Sequence, residues 1–150
     1  MKAIIMKRHL ALLGCLFLLL AVSACQQKQT EGVTFEQLFS SPQRYNGKDI
    51  CLEGFYFHGF EVIVLSERLE ASGYAPGHLV PKGNLVWIEG GIPKEIYDQL
   101  QQQAMMGPTE RYGKLKICGK FEYGGQYGNV GGYNAQITPS QVELLPWSPP

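Results

Sequence analysis

Lys114-Leu115-Lys116-Ile117-Cys118-Gly119-Lys120-Phe121-Glu122-Tyr123 alternates with a period of two. Leu115, Ile117, Gly119 and Phe121 fall on one side of an extended chain; Lys114, Lys116, Cys118, Lys120 and Glu122 fall on the other. That pattern predicts a strand with one face in a core and one in water. Upstream, Pro93 opens a helix over 93–103, since the first turn does not need its missing N–H. Ile96, Tyr97 and Leu100 share one face of it, and Gly107-Pro108 stop it. Before the helix, 48–57, 61–65 and 84–89 are short runs rich in β-branched, aromatic and leucine side chains, the first two joined tightly at His58-Gly59. Between the second and third runs, 66–83 carries Gly73, Pro76, Gly77, Pro81 and Gly83 and reads as a long loop. Downstream, the glycine-rich loop 124–132 leads into a last strand, 133–145, bent near Pro139. At 34–41 Thr34 is a capping residue, Phe35, Leu38 and Phe39 have helical spacing, and Pro42 ends the short helix.

Strand-strand-strand-helix-strand-strand is the element order of the OB-fold. The expected class is therefore all-β: a five-stranded OB-fold-like barrel with a short N-terminal helix and a helix between strands 3 and 4. An SH3-like barrel, the main alternative, does not need the inserted helix. OB topology sets strands 1 and 4 side by side and antiparallel. With Cys51 opposite Cys118, Asp49 faces Lys120 and Glu53 faces Lys116, so opposite charges flank the two thiols on both sides. Cys51 and Cys118 are thus the candidate disulfide, the alternative being two small apolar residues in unrelated positions.

The N-terminus carries an address. Lys2, Lys7 and Arg8 precede an uncharged run from Leu10 to Val22, 13 residues, shorter than the roughly 20 needed to span a bilayer. It ends in Val22-Ser23-Ala24-Cys25, which resembles the lipobox of bacterial lipoproteins. The resemblance implies a signal peptide at 1–24, a diacylglycerol- and palmitate-type anchor on Cys25, a polar tether over 25–32, a domain over 33–145 and a tail over 146–150. It places the mature chain on the extracytoplasmic side of a bacterial membrane, with the inner and outer membranes both left open. More than one acyl chain makes such an anchor stable.

Cleavage changes the arithmetic. The whole chain has 150 residues with 13 basic and 13 acidic side chains, whereas the part from Cys25 onward has a formal charge of −3. Cys15 leaves with the signal and Cys25 is acylated, so Cys51 and Cys118 remain as thiols in a compartment where disulfides persist.

The stretch Leu38-Phe39-Ser40-Ser41-Pro42-Gln43-Arg44-Tyr45-Asn46-Gly47-Lys48, running on through Asp49-Ile50-Cys51-Leu52-Glu53-Gly54, is similar to a recurring opening of small exported OB-fold lipoproteins. Lys120-Phe121-Glu122-Tyr123-Gly124-Gly125-Gln126-Tyr127-Gly128-Asn129-Val130-Gly131-Gly132-Tyr133 is similar to their glycine-rich turn between strands 4 and 5. The resemblance implies a fold and no particular activity.

The chemistry is sparse. There is no nucleophile elbow, zinc-protease helix, phosphate loop or dinucleotide fingerprint, so no catalytic residue, metal or cofactor is assigned. His58 and His78 adjoin glycines in turns and read as solvated; a metal site joining them to Glu61 or Glu89 has nothing to fix its geometry. Binding loops are the better expectation: Tyr74 and His78 in the loop between strands 2 and 3, and Tyr123, Tyr127, Asn129 and Tyr133 around that between strands 4 and 5. Tyr56, Trp87 and Tyr123 would add an aromatic platform wherever they face outward.

The leading expectation is a membrane-anchored binding or interaction module for an envelope protein, a saccharide or a small ligand. The alternative is a redox or metal-dependent envelope enzyme using Cys51 and Cys118 or His58 and His78. Single-stranded nucleic-acid binding ranks behind both, because a net charge of −3 repels a polyanion.

Overall fold

The computed structural model describes residues 30–104 and 107–150. The signal peptide, Cys25 and most of the tether, whose reading rests on 1–29, lie outside the described residues. The chain is mostly β. Its strands are β1 (Glu31–Val33), β2 (Asp49–Gly59), β3 (Val62–Ala71), β4 (Leu79–Ile88), β5 (Gln101–Gln103), β6 (Glu110–Tyr127) and β7 (Tyr133–Leu144). Among the described residues three short helices accompany them: α1 (Phe35–Ser40), α2 (Pro42–Tyr45) and α3 (Lys94–Tyr97).

The strands form one seven-stranded sheet in the order β1-β2-β3-β4-β7-β6-β5, with β2 also paired to β6. Two strands more than the expected five are present because β1 and β5 add three residues each at the edges, β1 parallel to β2 and β5 antiparallel to β6. β1 takes up Glu31 and Gly32, the last residues of the stretch read as tether.

The β2–β6 ladder has the register expected from its charges. Cys51 faces Cys118, Asp49 faces Lys120 and Glu53 faces Lys116. The two cysteines form a disulfide across the ladder with Cα atoms 4.0 Å apart. The alternation of β6 holds as well: Leu115, Ile117 and Phe121 are fully buried and join Ile50 and Leu52 of β2 in the main core. Gly119, on the same side, sits where β6 and β7 slip register. A Cβ there would lie 2.1 Å from the Thr138 carbonyl oxygen, so only glycine lets the two backbones approach so closely.

Elsewhere the elements depart from expectation. The helix over 93–103 is only the single turn α3, after which Gln101–Gln103 pairs with Glu110, Arg111 and Tyr112 as β5. Glutamine is a good helix former, but the unpaired edge of β6 captures these backbone groups instead. Leu100 and the partly buried Ile96 and Tyr97 still pack on the core. Pro42 does not end helical structure; it starts α2 as an N1 proline, and the break falls at Ser41. Thr34 caps α1 with a reciprocal pair of bonds: Gln37 N–H donates to Thr34 Oγ1 at 3.2 Å, and Thr34 N–H to Gln37 Oε1 at 3.0 Å.

The largest correction concerns 66–83. Most of it is strand, because β3 runs on to Ala71 and β4 begins at Leu79. Only 72–78 is a turn, closed by Ser72 N–H donating to the His78 carbonyl at 2.8 Å. Likewise β6 extends to Tyr127, which shortens the glycine-rich loop to 128–132.

Candidate functional site

β4 and β7 run parallel but pair only at Trp87–Gln136 and Ile88–Ile137. Below that seam they diverge and leave a shallow cleft of about 420 Å³ lined by Phe39, Gly83, Asn84, Leu85, Gly132, Tyr133 and Asn134. The half-buried Tyr133 ring forms part of its wall and packs on the Trp87 indole, with ring centres 5.3 Å apart. Gly128 has φ +79°, and a Cβ on it would meet Tyr133 at 2.8 Å and Trp87 at 3.1 Å, so glycine lets the 128–132 loop lie against this pair. The Trp87 N–H donates to Glu89 Oε2 at 3.1 Å, which leaves the indole face as its contact with Tyr133. Burial pushes the Tyr133 phenol pKa upward, so the ring stays neutral.

Trp87 belongs to a second apolar cluster, separate from the main core, with Phe57, Val64, Leu79 and Tyr112. Register explains its shape: Tyr112 faces Phe57, Phe57 faces Val64, and Val64 faces Trp87, so one row crosses four strands. Trp147, in the segment expected to be a tail, packs edge-on against Phe55 at 5.2 Å and Tyr112 at 6.1 Å. A second cleft of about 310 Å³ lies beside it, between Leu100, Gly113, Leu144 and Trp147.

The expected loop residues separate. Tyr74 is 83% exposed at the tip of the β3–β4 hairpin, and Asn129 is exposed in the 128–132 loop. Tyr127 and Tyr133 face each other across β6 and β7. Tyr123 is half-buried against the main core, and its N–H is held by Asn46 Oδ1 at 2.9 Å. The proposed platform of Tyr56, Trp87 and Tyr123 does not form: Tyr56 is 1% exposed inside the core and Trp87 is covered. Burial, assisted by Tyr97, holds the Tyr56 phenol well above the ordinary tyrosine range.

His78 is a correction too. It is not solvated but buried, and its Nε2–H donates to Glu110 Oε2 at 3.0 Å. Gln103 closes the cluster: its Nε2 donates to Glu110 Oε2 at 2.7 Å and to the Leu79 carbonyl at 2.6 Å, while Oε1 accepts from Leu79 N–H at 3.0 Å. Nδ1 of His78 is buried and has no hydrogen-bond partner among the described residues. His58 lies elsewhere, half-buried between Tyr56 and Tyr97, and burial pushes its pKa down. Among the described residues no three His, Cys, Asp or Glu side chains are placed to hold a metal ion.

Glu110, Gln103, Phe60 and Val130 escaped the sequence reading. Phe60 and Val130 are 72% and 82% exposed in the β2–β3 and β6–β7 turns. A large apolar side chain in a tight turn, or flanked by glycines, was the signal available for both. Comparison with protein-family models, with curated proteins and with solved structures found no match for the chain.

Proposed function

We propose that the chain is a lipid-anchored, extracytoplasmic binding module built on an OB-fold barrel, and that its ligand is an envelope saccharide. The strand pairings support the barrel: β2 to β3, β3 to β4, β4 to β7, β7 to β6 and β6 back to β2 make a circuit of five, with α3 between its third and fourth members. OB-folds bind oligonucleotides and oligosaccharides beside the second and third strands and the loops after the first and fourth. Here those elements are β3, β4, the turn bearing Phe60 and the loop bearing Val130.

One observation carries the choice of ligand. The cleft beside β4 offers the Phe39 and Tyr133 rings, on which a sugar face can stack, next to the amides of Asn84 and Asn134, which can meet hydroxyls. No lysine or arginine lines it. A formal charge of −3 after Cys25 favours an uncharged glycan over a polyanion. The resemblance of Val22-Ser23-Ala24-Cys25 to a lipobox, after a signal-like run, supports a place in the envelope of a bacterium.

With p-benzoylphenylalanine in place of Val130, irradiation of cells is expected to yield an adduct that shortens on muramidase digestion. The same probe in place of the exposed Glu36 is expected to yield none. Adducts to protein alone, insensitive to muramidase, would contradict the saccharide assignment.

A further inference from the structure

We infer that the outer half of the β3–β4 hairpin is a latched flap that covers the extension of the ligand cleft, and that its release regulates binding. The inference rests on the binding reading above for its ligand, and on geometry alone for the flap.

The hairpin has a hinge. Its ladder is continuous from Val64–Trp87 to Ser66–Leu85, breaks, and resumes at Arg68–Lys82. At the break Gly83 has φ +81°, and Glu67 Oε2 takes the place of ladder bonds, accepting from Asn84 N–H and Nδ2 at 3.1 Å each. Bulges of this kind bend and twist a ribbon. Beyond the bend the hairpin reaches across the end of β2 to β5 and the start of β6.

Among the described residues the far end is pinned through His78, Leu79 and Leu69. His78 and the Leu79 backbone meet Glu110 and Gln103 through the hydrogen bonds described above, and Leu79 packs in the cluster with Phe57, Val64, Trp87 and Tyr112. The row beneath is continuous with the cleft through Trp87, on which Tyr133 stacks. His78 Nδ1 is buried beneath the hairpin with no partner among the described residues. Lifting the flap would leave the hairpin's own ladder and its Ser72–His78 closure intact, so it can move as a unit. Such hinged coverings, held by a small set of bonds, are drawn from the low-stability end of a fold.

The test is hydroxyl-radical footprinting of the full chain, comparing Gln103→Ala and Glu110→Ala with the unaltered protein. Side-chain oxidation is expected to rise at least threefold at Leu79, Phe57 and Tyr112 while Phe121 and Leu52 stay protected. In the same variants chitohexaose, as glycan probe, is expected to bind at least threefold more tightly. No rise at Leu79 and Phe57, or an equal rise at Phe121, overturns the flap. A selective rise with unchanged chitohexaose affinity overturns its regulatory role. A selective rise in a protein that never binds chitohexaose supports the flap and overturns the saccharide reading instead.

Discussion

Replacing both bridge cysteines, Cys51→Ala with Cys118→Ala, is expected to lower the unfolding free energy by about 4 kcal/mol. The bond closes a loop with a sequence separation of 67 residues, and chain-entropy scaling puts such a loop between about 3 kcal/mol for 15 residues and about 4.7 for 100. The β2–β6 ladder around it, with Glu53 facing Lys116 and Asp49 facing Lys120, still favours the same register once the sulfurs are gone. The double variant should therefore fold to the same sheet and simply unfold earlier. In urea, where a small domain loses about 1–3 kcal/mol per molar, the midpoint should fall by roughly 2 M. Reduction of the unaltered protein should reproduce that shift. A loss under about 1 kcal/mol would mean that the bridge does not restrain the unfolded chain as its loop length requires.

Phe121→Ala is expected to cost about 4 kcal/mol. Phe121 is fully buried, faces Ile137 across the β6–β7 ladder, and sits where β6 passes from pairing with β2 to pairing with β7 alone. Its backbone also closes the entry to β2, its N–H donating to the Lys48 carbonyl at 2.9 Å and its carbonyl accepting from Gly47 N–H at 2.8 Å. Truncation removes the ring and leaves a cavity at the junction of two ladders, with both backbone bonds still in place. Thermal or urea unfolding measures the loss. The neighbouring half-buried Tyr123, changed to Ala, serves as the reference and should lose clearly less.

What could be read from the sequence was what nearest neighbours decide. The alternation in β6 assigns Leu115, Ile117 and Phe121 to the core because period two leaves no other arrangement. The acids around Cys51 and lysines around Cys118 gave the register, because a shift by one residue would break both charge pairings. Where the reading failed, the deciding partner was remote. Glu67, Arg68 and Glu70, among prolines and glycines, look like a loop; they are hairpin arms whose exposed side chains leave no apolar period to detect. Gln101–Gln103 looked helical until β6 supplied an edge. His78, flanked by Gly77, looked wet, but its partner Glu110 lies 32 residues away.

The candidate site divides along the same line. Tyr127 and Tyr133 were singled out from composition and do meet across the last ladder. The cleft beside Tyr133 was not foreseen, since it arises from the divergence of β4 and β7, and Phe39 reaches it from α1. The alternation along either strand does not report that the two pair at only two positions.

The central claim, that this domain is a glycan-binding module and not a nucleic-acid one, meets its most direct test in calorimetric titration of the mature chain in detergent with chitohexaose and, separately, with a ten-nucleotide dT strand at 0.05 and 0.15 M salt. The account predicts saturable binding of chitohexaose, weakened about tenfold by Tyr133→Ala, which corresponds to about 1.4 kcal/mol, and no saturable heat with the oligonucleotide. Oligonucleotide binding that collapses between the two salt concentrations, with no response to chitohexaose, would contradict it.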